Sequence, residues 1–154
     1  MSNDVFLKIN GISGESQDAT HPDEIEVLNW SWEMSQRSSV MSGSGGGAAK
    51  ATVEYLDFFH NVDRASPNLM SYCLTGRHIP QAVLTMCKAG GVPFDFFRIT
   101  MNDVTITRVE MTAQHEHVLL SFASVRQEYL VQNAQWGSKG VVTGNFDIKA
   151  NAPA

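Results

Sequence analysis

Cysteine is scarce in this 154-residue sequence, which contains only Cys73 and Cys87. Two cysteines are too few for a disulfide framework, and their spacing excludes the CxxC pattern of redox and zinc sites. We therefore predict two small, reduced and buried side chains. The length and the hydrophobic content of 43% suit a single domain over residues 1–154 with one core.

Basic residues are in the minority. The 11 Lys and Arg residues stand against 16 Asp and Glu residues, which gives a formal net charge of -5 and an isoelectric point of about 5.4. Binding to a phosphate backbone requires clustered Lys and Arg side chains that displace counterions. The composition therefore argues against a nucleic-acid partner.

Long apolar runs are missing as well. No uninterrupted run approaches the roughly 20 residues that a membrane-spanning helix needs. Residues 1–4 show neither the basic region nor the apolar core of a signal peptide. We expect a soluble protein that is synthesised in the cytoplasm and does not insert into a membrane.

The one low-complexity stretch carries no catalytic motif. Lys50 lies between Ala49 and Ala51, whereas a phosphate-binding loop ends in Gly-Lys-Ser/Thr. The spacing also differs from the Gly-x-Ser-x-Gly turn of hydrolases. We predict a mobile, extended loop, which is either a passive surface loop or one that orders on contact with another subunit. Its residues are Ser42, Gly43, Ser44, Gly45, Gly46 and Gly47.

His115-Glu116-His117 is the best remaining candidate for chemistry. On a strand, His115 and His117 would point to the same side and could share a metal ion. Two ligands make a weak site, and a third from His21, His60 or His78 would require a tertiary coincidence. We favour a solvated hairpin turn and predict no metal, cofactor or catalytic residue.

The rest of the chain has a strand pattern. Val5, Leu7 and Ile9 alternate with polar or outward residues, and a turn follows. Near-regular strands with turns between them favour an antiparallel barrel or sandwich, with a hairpin turn at residues 89–92. The further strand candidates are residues 25–32, 51–59, 82–88, 94–101, 104–113, 118–132 and 141–149.

One short helix interrupts the strands at about residues 67–75. Ser66 can cap it, Pro67 suits its first position, and Gly76 can adopt the left-handed conformation that ends it. Leu69 and Cys73, together with Met70 and Leu74, recur at the spacing of a helix face. We expect this helix to cover an open end of the barrel.

The order of these segments resembles the haemolysin-coregulated protein (Hcp) family of type VI secretion. The resemblance runs from about residue 4 to residue 151. Its best-matched segments are residues 8–16, 25–32, 65–69, 76–79, 82–91, 128–129 and 144–151.

The resemblance implies a small antiparallel β-barrel with one helix that assembles into hexameric rings. The rings stack into a tube inside a contractile sheath, and the tube is exported with a spike protein, without a cleaved signal peptide. The ring lumen can hold small effector proteins, and the family core has no catalytic residues. The glycine-rich stretch lies where the family has an extended loop between stacked rings. The chain stops at Ala154, so we expect no toxin extension.

Three hypotheses follow. The leading one is a hexameric tube subunit that is exported with the spike. The second is a lumenal receptor and chaperone for small secreted effectors, with tube building secondary. The third, least supported, is a metal-dependent hydrolase that uses His115 and His117. Phe146 and Cys87 differ from residues frequent in the family, which leaves the choice of spike or effector open.

Overall fold

The computed structural model describes residues 3–37, 50–88, 94–132 and 138–153. Within these ranges the fold is mainly β, as predicted, with one helix. The elements are β1 (Asn3–Ile9), β2 (Ile25–Glu26), β3 (Asn29–Ser31), β4 (Met34–Gln36), β5 (Ala51–Val53), β6 (Leu56–Asn61), α1 (Ser66–Thr75), β7 (Ile79–Lys88), β8 (Phe94–Met111), β9 (His115–Ser121), β10 (Ser124–Gln132) and β11 (Ser138–Asp147).

The long strand β8 organises the sheets. Its first half pairs with β7 on one side and with β10 on the other, and β11 pairs with β10. Its second half pairs with β9, which continues to β6 and β3. Antiparallel neighbours with short connections are what the spacing of the turn residues predicted.

The predicted break between residues 101 and 104 is wrong, because β8 runs through it. Asp103 has a positive φ of 54°, a conformation that Asp tolerates better than most residues. The Ala123 amide donates to the Asn102 carbonyl at this point. The predicted strand 118–132 is instead divided between β9 and β10, which pair with different halves of β8.

The predicted barrel is not closed by strand pairing. The pairing path begins at β2 and ends at β3, and these two strands do not pair with each other. They are joined by Val27 and Leu28, which change partners: Val27 donates to the Val5 carbonyl and Leu28 to the Phe59 carbonyl. The β class is confirmed, whereas a closed ladder of strands is not.

One apolar core lies between the two halves of β8 and the strands around them. Phe58, Leu7, Ile25, Leu84 and Ile99 are among its fully buried members. Each comes from the inward positions of an alternating strand, which explains why the period-two pattern located β1 and β7 correctly.

The helix starts one residue earlier than predicted. Pro67 lies in its first turn, and Gly76 ends it with a φ of 64°, as expected. Ser66 does not cap it, because its hydroxyl donates to Glu116 instead. The inward side chains are Leu69 and Tyr72.

The outer side of the same helix corrects a second expectation. Met70 and Leu74 belong to the predicted apolar face of the helix, but they are 54% and 78% exposed. Only part of the predicted apolar face is therefore used in packing within this chain.

Candidate assembly surfaces

The larger sheet consists of β2, β1, β7, the first half of β8, β10 and β11. The face of this sheet that covers the core carries an apolar row, which extends past the edge of the core. Directly paired residues of neighbouring strands point to the same side of a sheet, and the pairing register connects one residue from each of five strands. The first three are partly buried against the core, whereas the last two are 46% and 65% exposed. This apolar row consists of Val5, Met86, Phe97, Tyr129 and Val142.

The row ends at β11, which is an edge strand. Within the described residues β11 pairs with β10 and with no other strand. A long edge presents unpaired backbone amides and carbonyls, which readily pair with another chain. Val141 and Val142 are both exposed on this edge, on opposite faces of the sheet. The end of the sheet therefore combines apolar side chains with available backbone hydrogen bonds.

The opposite face of the same sheet is polar. One set of paired residues is Lys8, Val83, Thr100, Arg126 and Asn145, and the adjacent set carries Arg98 and Glu128. Arg126 Nε donates to Asn145 Oδ1 at 2.9 Å, and Arg98 lies 3.8 Å from the Glu128 carboxylate. An open cavity of about 380 Å³ lies over this face. Both signs of charge are present, so the face suits water and polar partners.

His21 connects the loop after β1 to the start of β8 beside this polar face. Its Nδ1 is 3.1 Å from the Glu24 carboxylate, and its Nε2 is 2.9 Å from Asp95. Its ring stacks on Phe6 at 4.7 Å. Both ring nitrogens can donate only in the imidazolium form.

The surroundings of His21 favour that charged form. Burial lowers the pKa of His21, but the hydrogen bonds to Asp95 and Glu24 and the charges of these carboxylates together raise it above its ordinary value. The loop is therefore attached to β8 by a histidine whose charged form is favoured by two carboxylates.

The loop that contains His21 is itself tightly built. Gly14 and Ser16 donate to the carbonyls of Asp23 and Glu24. A Cβ atom on Gly14 would lie 2.5 Å from the Glu24 carbonyl oxygen. Arg64 adds a bond from Nε to the Gly14 carbonyl at 2.6 Å. The loop therefore holds His21 in a fixed position.

The sequence favours a hairpin turn over a metal site for the segment His115-Glu116-His117, and in the described part of the chain no group of three potential ligands converges. The triplet is the start of β9 and not a turn. His117 lies 3.0 Å from Asp57 and stacks on Phe59 at 4.1 Å. Glu116 points inward instead and is fully buried.

The predicted loop residues Ser42, Gly43, Ser44, Gly45, Gly46 and Gly47 lie outside the described residues. The ribbon formed by β4 and β5 leads into that stretch on either side.

Sequence patterns had located several members of the apolar row on strands, but not their alignment. Register is a tertiary property, and so is the approach of Asp95 to His21 across 74 positions. The one partner of His21 that is also close in the sequence is Glu24, three residues away.

Comparison with known proteins decides the family. A family model described as type VI secretion system effector, Hcp, matches residues 6–129. The chain belongs to the Hcp family. Protein hcp1 of Pseudomonas aeruginosa is 42% identical over 163 aligned residues, with 100% of both chains covered.

Solved Hcp structures have the same fold. The crystal structure of Hcp1 from Salmonella typhimurium is 45% identical, with a TM-score of 0.84 and 100% of both chains covered. That of a type VI secretion system effector from Yersinia pestis is 38% identical, with a TM-score of 0.78, covering 94% of this chain and 99% of the other.

Membership of the Hcp family sets the coarse function. The family is secreted by type VI secretion and is not an enzyme family. Among the residues that the structure describes, no helix is both long enough and apolar enough to cross a bilayer.

Proposed function

We propose that this chain is a structural subunit of the type VI secretion inner tube. It forms hexameric rings that stack inside the contractile sheath and are exported with the spike protein, without a cleaved signal peptide. The observation that carries the proposal is the apolar row, which ends at the unpaired edge of β11.

The apolar row supports side-by-side contact between copies. Val142 and Tyr129 remain 65% and 46% exposed in the single chain. Burying the remaining surface of a Val or Tyr side chain contributes about 1–2 kcal/mol. Six repeats in a closed ring multiply that contribution, so a modest pairwise contact suffices.

The strand order supports a head-to-tail arrangement. β11 and β2 are the terminal strands of the paired series β2, β1, β7, β8, β10 and β11. Leu28, just after β2, is 54% exposed and offers apolar surface at that other end. A contact between unlike ends closes into a ring when the rotation is right, and it buries the free edge.

The polar face suits the lumen of such a ring. A channel filled with water should be lined by the polar face of the sheet rather than by the face with the apolar row. The polar face carries Lys8, Arg98 and Arg126. Sheets with one wet and one apolar face are common among antiparallel structures. One sheet would then supply both the lumen surface and the contact between subunits.

Two substitutions on one strand test the ring contact. Val142→Lys places a charge on the apolar row, whereas Val141→Lys places the same charge on the opposite face of the same edge strand. Native mass spectrometry should show hexamers for the wild type and for Val141→Lys, and mainly monomers for Val142→Lys. Equal hexamer populations in both variants would refute the role of the row.

The glycine-rich loop, residues Ser42–Gly47, is proposed to contact the next ring of the stack. The family position of the loop and the ribbon that leads into it support this role. Deleting residues 43–47 should shorten or abolish tubes in electron micrographs while hexamers persist in native mass spectra. Tubes of unchanged length would contradict this role.

A second function is favoured by the polar cavity, namely a lumenal receptor and chaperone for small effectors. The mixed charges of Arg98, Arg126 and Glu128 offer polar contacts to a folded cargo. The charge-reversing substitution Arg126→Glu should lower effector levels in cells while leaving tube formation intact. Effector levels that stay unchanged, in this variant and in cells that lack the protein, would remove this role.

A further inference from the structure

The ribbon formed by β4 and β5 has only partial apolar support, because Val53 packs against the core whereas Met34 is 50% exposed. Each strand has three paired residues, and a two-stranded hairpin is at best marginally stable in water. An open, mainly apolar cavity of about 380 Å³ lies between the ribbon and the β10–β11 pair, where it is lined by Trp32, Met34, Val53, Val125 and Phe146. Close packing therefore does not fix the angle of the ribbon.

Polar contacts hold the ribbon instead. At the end nearer the core, Trp32 Nε1 donates to the Glu54 carbonyl at 3.0 Å, and the Glu54 amide donates to the Glu33 carbonyl at 3.0 Å. At the outer end, where Gln36 pairs with Ala51, the Ala51 amide donates to Asn151 Oδ1 at 3.2 Å. That contact joins positions 100 residues apart.

The turn that presents Asn151 is rigidly built. The Asp147 and Ala152 backbones exchange two hydrogen bonds of 2.8 and 3.2 Å, and Asp147 Oδ1 accepts from the Ala150 amide. The Ile148 amide donates to the Ala123 carbonyl at 2.8 Å, which attaches the turn to the main sheet. Asn151 has a φ of 53°, a conformation that favours Asn, Asp and Gly.

We propose that Asn151 is a positioning residue that fixes the direction in which the ribbon leaves the sheet, and thereby the contact between stacked rings. The inference rests on the proposed tube function. Asn151 acts through Ala51, the first residue of β5, and so holds the outer end of the ribbon. A ribbon held at both ends keeps one orientation, which lowers the entropy lost on stacking.

Two substitutions separate the hydrogen bond from the backbone conformation. Asn151→Gly keeps the left-handed conformation and removes the acceptor, whereas Asn151→Asp keeps both. Hydrogen exchange of the peptide that contains the Ala51 amide should accelerate roughly tenfold in Asn151→Gly, as expected for losing one hydrogen bond. Asn151→Asp should match the wild type.

The same variants are then compared for stacking and for ring formation. Asn151→Gly should form hexamers by native mass spectrometry but much shorter tubes by electron microscopy, and Asn151→Asp should restore tube length. Unchanged exchange at Ala51 would overturn the anchoring. Faster exchange with normal tubes would overturn its role in stacking while the tube function stands. A wild type that forms neither rings nor tubes would refute both.

Discussion

The buried pair of His60 and Glu116 offers the sharpest prediction about stability. Both side chains are fully buried, and His60 Nε2 lies 3.0 Å from Glu116 Oε1. The ring nitrogens of His60 are not aligned for a hydrogen bond with any described residue, so the two side chains lie close together without a well-aligned hydrogen bond between them. Asp63 lies farther away, 3.7 Å from Nδ1.

Removing one partner should cost much more than removing both. Glu116→Met alone leaves the buried ring of His60 without its nearest partner, whereas His60→Leu alone leaves Glu116 with Ser66 as its remaining partner. Removing one member of a buried pair destabilises a protein by about 3–5 kcal/mol. The double variant replaces the pair with apolar side chains of similar size, and such replacements are often close to neutral; the Ser66 hydroxyl then loses its acceptor, as it does in Glu116→Met. We therefore expect the double variant to be more stable than either single variant.

Urea unfolding followed by circular dichroism measures these differences, at a protein concentration where native mass spectra show one oligomeric state. Each single variant should lower the midpoint without changing the slope. If the double variant lost as much free energy of unfolding as the two single variants together, His60 and Glu116 would not interact.

Three further predictions concern the loop after β1 and the cysteines. Because the pKa of His21 is raised in the folded state, its stabilisation is complete below pH of about 6.5 and is lost as the pH rises through the raised pKa. The free energy of unfolding of His21→Gln should therefore lie below that of the wild type by more at pH 6 than at pH 9. An equal difference at the two pH values would contradict stabilisation by the charged form of His21. Gly14→Ala should destabilise by about 1–3 kcal/mol in the same assay, because its Cβ meets a backbone oxygen. Gly144→Ala should not destabilise the protein, because the space around this site is open. Equal losses of stability in the two variants would refute the close approach of Gly14 to the Glu24 backbone. Burial raises the pKa of Cys87 to about 11, so alkylation at pH 8 should modify the half-buried Cys73 well before Cys87. Mass spectrometry that finds Cys87 modified first would contradict its protection.

Local chemistry explains which parts of the fold could be predicted from the sequence. Alternation located β1 because each inward side chain has its own buried position, and Pro67 and Gly76 marked the ends of α1. The strand through Asp103 was missed because a polar pair usually marks a turn, whereas here pairing on both sides carries β8 through the bend. Ser66 was misjudged as a cap because its hydroxyl has a better partner, Glu116, 50 residues away.

The assembly surface could be predicted only in part. The strand pattern placed the members of the apolar row on predicted strands, but the row itself depends on the register among five strands. Asn151 gave no signal in the sequence, since its contact with Ala51 exists only in the folded chain. Polar anchors between distant segments are therefore the least predictable elements of this surface.

The most direct test of the account is the oligomeric state of the wild-type protein. Native mass spectrometry over a range of concentrations, with negative-stain images of the same samples, would measure it. We predict a hexamer that persists on dilution, and rings and stacked tubes in the images. A strictly monomeric species at high concentration, without rings, would contradict it.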